Sequence, residues 1–207
     1  MSNLERVIGI IDCGISNIGS ISQAVMRLGF PTVILSEPHQ IEGITHLILP
    51  GQGSFSEAAE RLRALGWKKA LKQAVLEEKR YILGICLGMQ LFATTGTEGY
   101  KTNGLNLIEA EVVRMSTQDL RVPHVGWNAV FQERNCPIFR SVKSPTDFYF
   151  SHSFILLCKS KDVVSSICDY GQEIVSSISY ENIFGTQFHP EKSSKAGRQI
   201  LKNFCEI

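Results

Sequence analysis

Tyr81-Ile82-Leu83-Gly84-Ile85-Cys86-Leu87-Gly88-Met89-Gln90-Leu91-Phe92-Ala93 is the stretch that decides how this chain of 207 residues is read. The apolar run from Tyr81 to Ile85 has the length and composition of a buried strand, and Met89 to Ala93 reads as helix. Cys86 therefore stands where a strand turns into a helix. Gly84-Ile85-Cys86-Leu87-Gly88 is the glycine–x–nucleophile–x–glycine pattern of a nucleophile elbow. The glycines, lacking Cβ, permit a sharp turn and close packing beside a strained residue. A thiol at a helix N-terminus is acidified by the positive end of the dipole, and the Leu87 backbone N–H would face a developing oxyanion. A buried structural cysteine between two packing glycines accounts for the pentapeptide equally well.

Outward from this turn, the first half alternates strands and helices. Val7 to Ile11, Thr32 to Leu35 and His46 to Leu49 read as strands, the last ended by Pro50-Gly51. Ile18, Ile21, Val25 and Leu28 recur at helical spacing before Gly29, as do Phe55, Ala58, Ala59, Leu62 and Leu65, and then Leu71 to Leu76. Such alternation predicts an α/β fold, a parallel sheet covered by helices on both faces. In the second half Val112-Val113, Phe148 to Phe150, Ile155 to Leu157, Val163-Val164, Ile174 to Ile178 and Ile183 to Phe188 read as antiparallel strands added to that sheet. Ala196 to Phe204 supplies a closing helix. With no repeat or linker, residues 1–207 are expected to form a single domain.

Composition narrows the function classes. The chain is 43% hydrophobic and 20% charged with a formal net charge of +1, and no basic stripe suggests nucleic acid. Met1 to Arg6 carries both signs of charge and leads into a short apolar run, so neither a signal peptide nor a membrane span is expected, and a cytoplasmic location is. Cysteines stand at 13, 86, 136, 158, 168 and 205 with no CxxC pair, so no metal site or cofactor is expected, and Cys136, Cys158, Cys168 and Cys205 read as structural. Trp67 reads as a packing residue, and Asp12 as a partner for nearby backbone.

A thiolate nucleophile needs a base and an orienting group. Gly185-Thr186-Gln187-Phe188-His189-Pro190-Glu191 offers both after a strand-like run. The Glu191 carboxylate can accept the ring N–H of His189 and leave its other nitrogen for Cys86 and a leaving amine. A lone histidine is usually a satisfied structural residue; a Cys–His–Glu set in which each member occupies a strand end favours catalysis.

Gly84 to Gln90 and Gln187 to Glu191 together resemble the paired signatures of class I glutamine amidotransferases. Asp12 to Asn17, Pro50-Gly51-Gln52-Gly53-Ser54-Phe55, Pro123-His124-Val125-Gly126-Trp127-Asn128, Phe148 to Ser153 and His189 to Ser193 resemble the branch formed by glutaminase subunits of imidazole glycerol phosphate synthase. These segments fall in family order along nearly the whole chain. The resemblance implies a flavodoxin-like three-layer fold and glutamine hydrolysis to glutamate and ammonia. Cys86 would be the nucleophile, His189 the proton carrier and Glu191 its orienting group. Gln90, Glu98, Gly51, Gly53, Leu87, His152 and Ser153 would hold glutamine or the oxyanion. Asn17, Gly126, Trp127, Asn128 and Lys192 would lie toward a (β/α)8-barrel cyclase that forms a heterodimer with the chain and receives ammonia for histidine biosynthesis, making imidazole glycerol phosphate and AICAR.

The family usually has tyrosine at Cys13, glycine at Ser16, valine at Gln52 and serine at Gly96. Gln52 lies in the expected oxyanion loop, and Cys13 and Ser16 on the expected partner face. An alternative from the same family is a paralogous subunit feeding ammonia to sugar amidination in surface-polysaccharide synthesis. A silent binding scaffold and a γ-glutamyl peptidase are further classes. The intact triad argues against the first, and the Pro123 to Asn128 segment against the second. With no phosphate-binding glycine loop in the chain, low activity alone and activation by a ligand-loaded partner are expected.

Overall fold

Residues alternate in their destination along each early strand, as the period of two requires. Ile8, Ile10, Ile48, Leu83 and Ile85 enter one apolar cluster, while Ile11, Leu47, Leu49 and Ile82 enter the other. A sheet buried on both faces follows, and the computed structural model, which describes residues 6–14, 16–117 and 120–207, shows it. The N-terminal Met1 to Glu5 and Ile15 of the first motif lie outside the described residues.

In chain order the elements are β1 (Ile8–Ile11), α1 (Ile18–Met26), β2 (Thr32–Leu35), β3 (His46–Gly51), α2 (Phe55–Ala64), α3 (Trp67–Lys72), β4 (Tyr81–Cys86) and α4 (Leu87–Gln90). They continue with β5 (Thr95–Gly96), β6 (Thr102–Asn103), β7 (Ala110–Arg114), β8 (His124–Gln132), β9 (Thr146–His152) and β10 (Phe154–Cys158). β11 (Val164–Asp169), β12 (Glu173–Tyr180), β13 (Ile183–Thr186) and α5 (Ser194–Glu206) complete the chain. The large sheet has nine strands in the order β2-β1-β3-β4-β13-β12-β11-β8-β9. Its β2, β1, β3, β4 and β13 are mutually parallel, and the remaining pairings are antiparallel. α1 and α5 cover one face, through Ile21, Val25, Ile200, Leu201 and Phe204. α2 and α3 cover the other with Phe55, Leu62, Trp67 and Leu71, each worth about 1.5–3 kcal/mol of burial.

Four findings correct the sequence reading. Val112-Val113 and Ile155 to Leu157 do not extend the large sheet; they belong to a separate four-stranded sheet, β10-β7-β5-β6, that shares a face of the large one with α2 and α3. β13 joins β4 in parallel, so the parallel core has one more strand than alternation in the first half suggests. Pro50-Gly51 continues β3, because Pro50 pairs with Ile85 and Gly51 with Cys86. The helix expected over Met89 to Ala93 is a single turn, Leu87–Gln90. The carbonyls that would propagate it accept other donors: Leu91 O takes the N–H of Leu105, Ala93 O that of Asn106, and Phe92 O those of Leu107 and Ile108.

His46, at the start of β3, is 3% exposed, stacks on Tyr81 and leaves Nε2 without a partner. Burial, with help from Arg6, lowers its pKa from 6.5 to about 4. The unfolded chain therefore binds more protons between those values, so this contribution to stability is complete above about 6.5 and lost as the pH falls toward 4. Replacing His46 with Phe should leave stability at neutral pH within ~1 kcal/mol and recover on the order of 1–3 kcal/mol of the acid-induced loss. Urea denaturation at neutral pH and near pH 4.5 measures both; an unchanged acid loss in the variant would overturn the assignment.

Candidate active site

Ligands of open α/β sheets bind beyond the carboxyl ends of the parallel strands, and three such ends meet here. Register aligns Gly51 of β3 with Cys86 of β4, and Thr186 of β13 with Ile85, so that Gln187 follows at the level of Cys86. Cys86 has φ 54° and ψ −111°, a region that costs a non-glycine residue on the order of 1–3 kcal/mol. The backbone that imposes it is packed too tightly for side chains. A Cβ on Gly88 would sit 1.7 Å from the Leu49 carbonyl oxygen, and one on Gly84 would sit 2.6 Å from the Met89 nitrogen. α4 therefore rests directly on the backbone of β3. One turn carries little macrodipole, so the acidifying helix expected behind the thiol is largely missing.

His189 follows β13, with its N–H on the Tyr149 carbonyl and its own carbonyl accepting the Ser193 hydroxyl at 2.6 Å. Its Nδ1 lies 2.9 Å from Glu191 Oε1, the two side chains being 4% and 5% exposed, while Glu191 Oε2 is buried without a partner. Burial opposes the imidazolium, but hydrogen bonds and charge from Cys86 and Glu191 outweigh it and hold the His189 pKa up at about 9. Nδ1–H is directed at the carboxylate, and both neighbours favour the charged ring.

A cavity of about 300 Å³ opens over Cys86, lined among others by Gln52, Gly53, Gln90, Glu98, His152 and His189. Leu87, Ser153 and Lys192 also line it, so it gathers most of the residues expected from sequence. Gly51 lies beneath, where a Cβ would meet the Gly88 nitrogen and Leu87 Cβ at 2.9 Å, and Glu191 lies behind His189. Leu87 occupies the first position of α4, where a helix leaves its N–H without an intrahelical acceptor. Glu98 Oε2 accepts the Phe55 N–H at 2.8 Å; burial raises its pKa against that bond, with Glu57 adding to the rise.

His152 and Ser153 reach the cavity because the chain crosses between the two sheets there, from β9 to β10. His152 Nδ1 lies 2.9 Å from the Phe154 carbonyl and must donate to it; its Nε2 then accepts from His124 Nδ1 at 3.1 Å. Burial holds both rings neutral, at about 3 for His152 and about 4 for His124. Asn128 donates to the Asp169 carbonyl at 2.8 Å and approaches His124 Nε2 at 3.4 Å. Asn128, Gly126, Trp127 and Asn17 do not line the cavity. Trp127 is 52% exposed on β8, Gly126 beside it adopts φ +135°, and Asn17 is exposed and caps α1 through its side chain. Cys13, expected on an outer face, is instead buried in the core.

Gln187, for which the sequence suggests no role, is fully buried with Nε2 3.7 Å from Cys86 Sγ. Its place in the Gln187 to Glu191 motif was the available signal. Among the described residues no group of three or more His, Cys, Asp or Glu gathers as a metal site, and no helix is long and apolar enough to cross a membrane.

The packing under Cys86 makes Gly88→Ala expensive: a loss above about 3 kcal/mol in chemical denaturation is expected, since backbone must move. Gly53→Ala meets open space but keeps φ +94°, and should cost only about 1–2 kcal/mol. Equal costs would contradict the close approach.

Residues 9–207 match the family model described as glutamine amidotransferase class-I. The chain is 42% identical over 202 residues to imidazole glycerol phosphate synthase subunit HisH 1 of Campylobacter jejuni strain RM1221, covering 97% of this chain and 100% of the relative. It is also 42% identical to subunit HisH of Moorella thermoacetica, covering 98% and 95%. The fold superposes on PurLQS from Thermotoga maritima with a TM-score of 0.78 at 17% identity, over 98% of each chain. A crystal structure of a glutamine amidotransferase gives 0.76 at 17% identity, over 97% of this chain and 99% of that one. An elbow closed by glycines, a buried imidazole–carboxylate pair across from it and a match along almost the entire sequence have one common explanation: the chain belongs to the class-I glutamine amidotransferase family.

Proposed function

We propose that this chain is the glutaminase subunit of an imidazole glycerol phosphate synthase, hydrolysing glutamine at Cys86 and passing the ammonia to a cyclase partner. The observation that carries the chemistry is Cys86 in a strained elbow beside a His189 whose pKa Cys86 and Glu191 together hold up. The relatives' names support the histidine pathway over sugar amidination.

The steps follow from the groups present. Cys86 Sγ attacks the side-chain amide carbon, and the carbonyl electron pair moves onto oxygen, facing the Leu87 N–H and the Gly51 to Gly53 loop. His189 gives its proton to the departing nitrogen, the C–N bond breaks, and ammonia leaves a glutamyl thioester. Water then attacks the thioester, His189 takes its proton, and glutamate departs as the thiolate re-forms. Glu191, with one oxygen on Nδ1 and the other unpaired, stabilises the imidazolium that this cycle uses twice. Glu98 supplies a carboxylate for the substrate ammonium. Gln90 donates both its N–H groups internally, to Phe154 O at 2.8 Å and Gln187 Oε1 at 2.9 Å, leaving its carbonyl oxygen for substrate. Gly53, His152 and Ser153 complete the wall.

The partner is a (β/α)8-barrel cyclase forming a heterodimer in the cytoplasm, seated on the exposed face of β8. There Val125, Trp127 and Phe131 are 56%, 52% and 43% exposed, an apolar stripe that favours a protein partner. Gly126 and Asn128 neighbour it along β8, and the Lys192 ammonium lies 5.8 Å over the Tyr149 ring that packs against Trp127; Asn17 is assigned to the same partner face. Residues 1–207 act as one amidotransferase domain.

Glutamate release, followed with the chain alone and with the cyclase of the same organism carrying its nucleotide ligand, tests this reading. Turnover should rise sharply only in the loaded complex, vanish in Cys86→Ala and fall about a hundredfold or more in Glu191→Gln. Trp127→Ala should weaken cyclase binding at least about tenfold, with the fold intact. A Cys86→Ala variant that still releases glutamate would end the Cys86 assignment; a cyclase that neither binds nor activates would end the histidine-pathway one.

A further inference from the structure

One buried side chain touches the reacting sulfur and has no part in the steps above. Gln187 is fully buried, one residue past β13, with its backbone N–H fixed on the Ser176 carbonyl at 2.8 Å. Which end of its amide faces the sulfur follows from an acceptor further along. The Phe154 carbonyl can only accept, so the Gln90 atom 2.8 Å from it must be nitrogen. That same nitrogen lies 2.9 Å from Gln187, so the Gln187 atom it meets must be oxygen. Nε2 of Gln187 is therefore the atom turned toward Cys86 Sγ, at 3.7 Å. A donor at that position favours the anionic sulfur, because a hydrogen bond to a charged acceptor is stronger than one to a neutral acceptor. The opposing acceptor, the Ser151 carbonyl, is farther off at 3.9 Å.

We infer that Gln187 holds the Cys86 thiolate, its amide orientation imposed by the relay from the Phe154 carbonyl through Gln90. The one-turn helix at the elbow gives this donor its importance, since little macrodipole is there to stabilise the anion. Thiolate stabilisation then comes from two sides: His189 across the cavity and the Gln187 N–H from below. The relay also ties the sulfur to the wall that contacts substrate, because Gln90 lines the cavity with its remaining oxygen. The titratable groups that also face Cys86 are His189 with Glu191 behind it, His152 on β9, and Glu98 and Lys192 on the cavity rim.

The inference rests on Cys86 being the nucleophile, and its test does not need turnover. The rate of iodoacetamide alkylation of Cys86 is measured against pH in the whole chain, with Cys86→Ala as the blank. Burial pushes the thiols of Cys158, Cys168 and Cys205 up to about 11, 12 and 12, so they contribute little near neutrality. Gln187→Met removes the donor at similar volume, and Gln187→Glu puts an acceptor in its place. Both should move the profile to higher pH, by about one unit for Met and more for Glu, with about a tenfold lower thiolate fraction at neutral pH. In glutamate release kcat should fall while KM holds. Profiles that coincide with the wild type in both folded variants overturn the role of Gln187. If neither variant folds, the side-chain amide resonance of Gln187 in the wild type must follow the Cys86 titration and lose that response in Cys86→Ala; an indifferent amide overturns it as well. An inactive chain whose alkylation profile still depends on Gln187 would sink the glutaminase reading alone.

Discussion

The contact between Gly88 and the Leu49 carbonyl is the constraint from which the site follows. With no room for a Cβ there, the turn after β4 lies flat on the backbone of β3. Cys86 is then forced to positive φ and its sulfur is raised above the strand ends. The adjacent parallel register of β13 carries Gln187 and His189 to the same level. Local strain at Cys86 persists because both flanking strands, buried on two faces, over-determine the backbone around it.

Charge in this site is arranged by contrast between neighbours. His189 is as deeply buried as His152 and His124, yet Cys86 and Glu191 raise its pKa while burial lowers theirs. One ring is thereby biased toward the charged form and the other two toward the neutral one. The His152–His124–Asn128 chain of hydrogen bonds runs from the cavity wall to β8, whose far side carries the exposed Trp127. The cavity wall and the exposed apolar face of β8 are thus consecutive parts of the same pair of strands.

Departures from the family pattern find different explanations. Gly96 lies against Phe55, where a Cβ would approach Cδ1 to 2.5 Å, so this ring position and a serine exclude each other without adjustment. Cys13 is part of the core rather than of an outer face. The Ser16 hydroxyl is buried without a partner, and nothing in the structure explains the serine. Gln52 lines the cavity and is exposed, on a loop whose next residue, Gly53, has φ +94°.

Periodicity made the strands and helices of the first half legible, because apolar spacing there reflects burial on two faces or one. The elbow was legible too, since glycines flanking a cysteine after a strand have a steric reason. Sequence by itself also paired His189 with Glu191, two residues apart across a proline that leaves few conformations. Tertiary structure alone decided the rest. The second sheet, the parallel entry of β13 and the single turn of α4 depend on which distant backbone groups take up each N–H and C=O, and local pattern carries no record of that choice. The orientation of the Gln187 amide is the sharpest case: it is set by the Phe154 carbonyl, far away in the chain, through a third residue, and only the folded arrangement brings the three together.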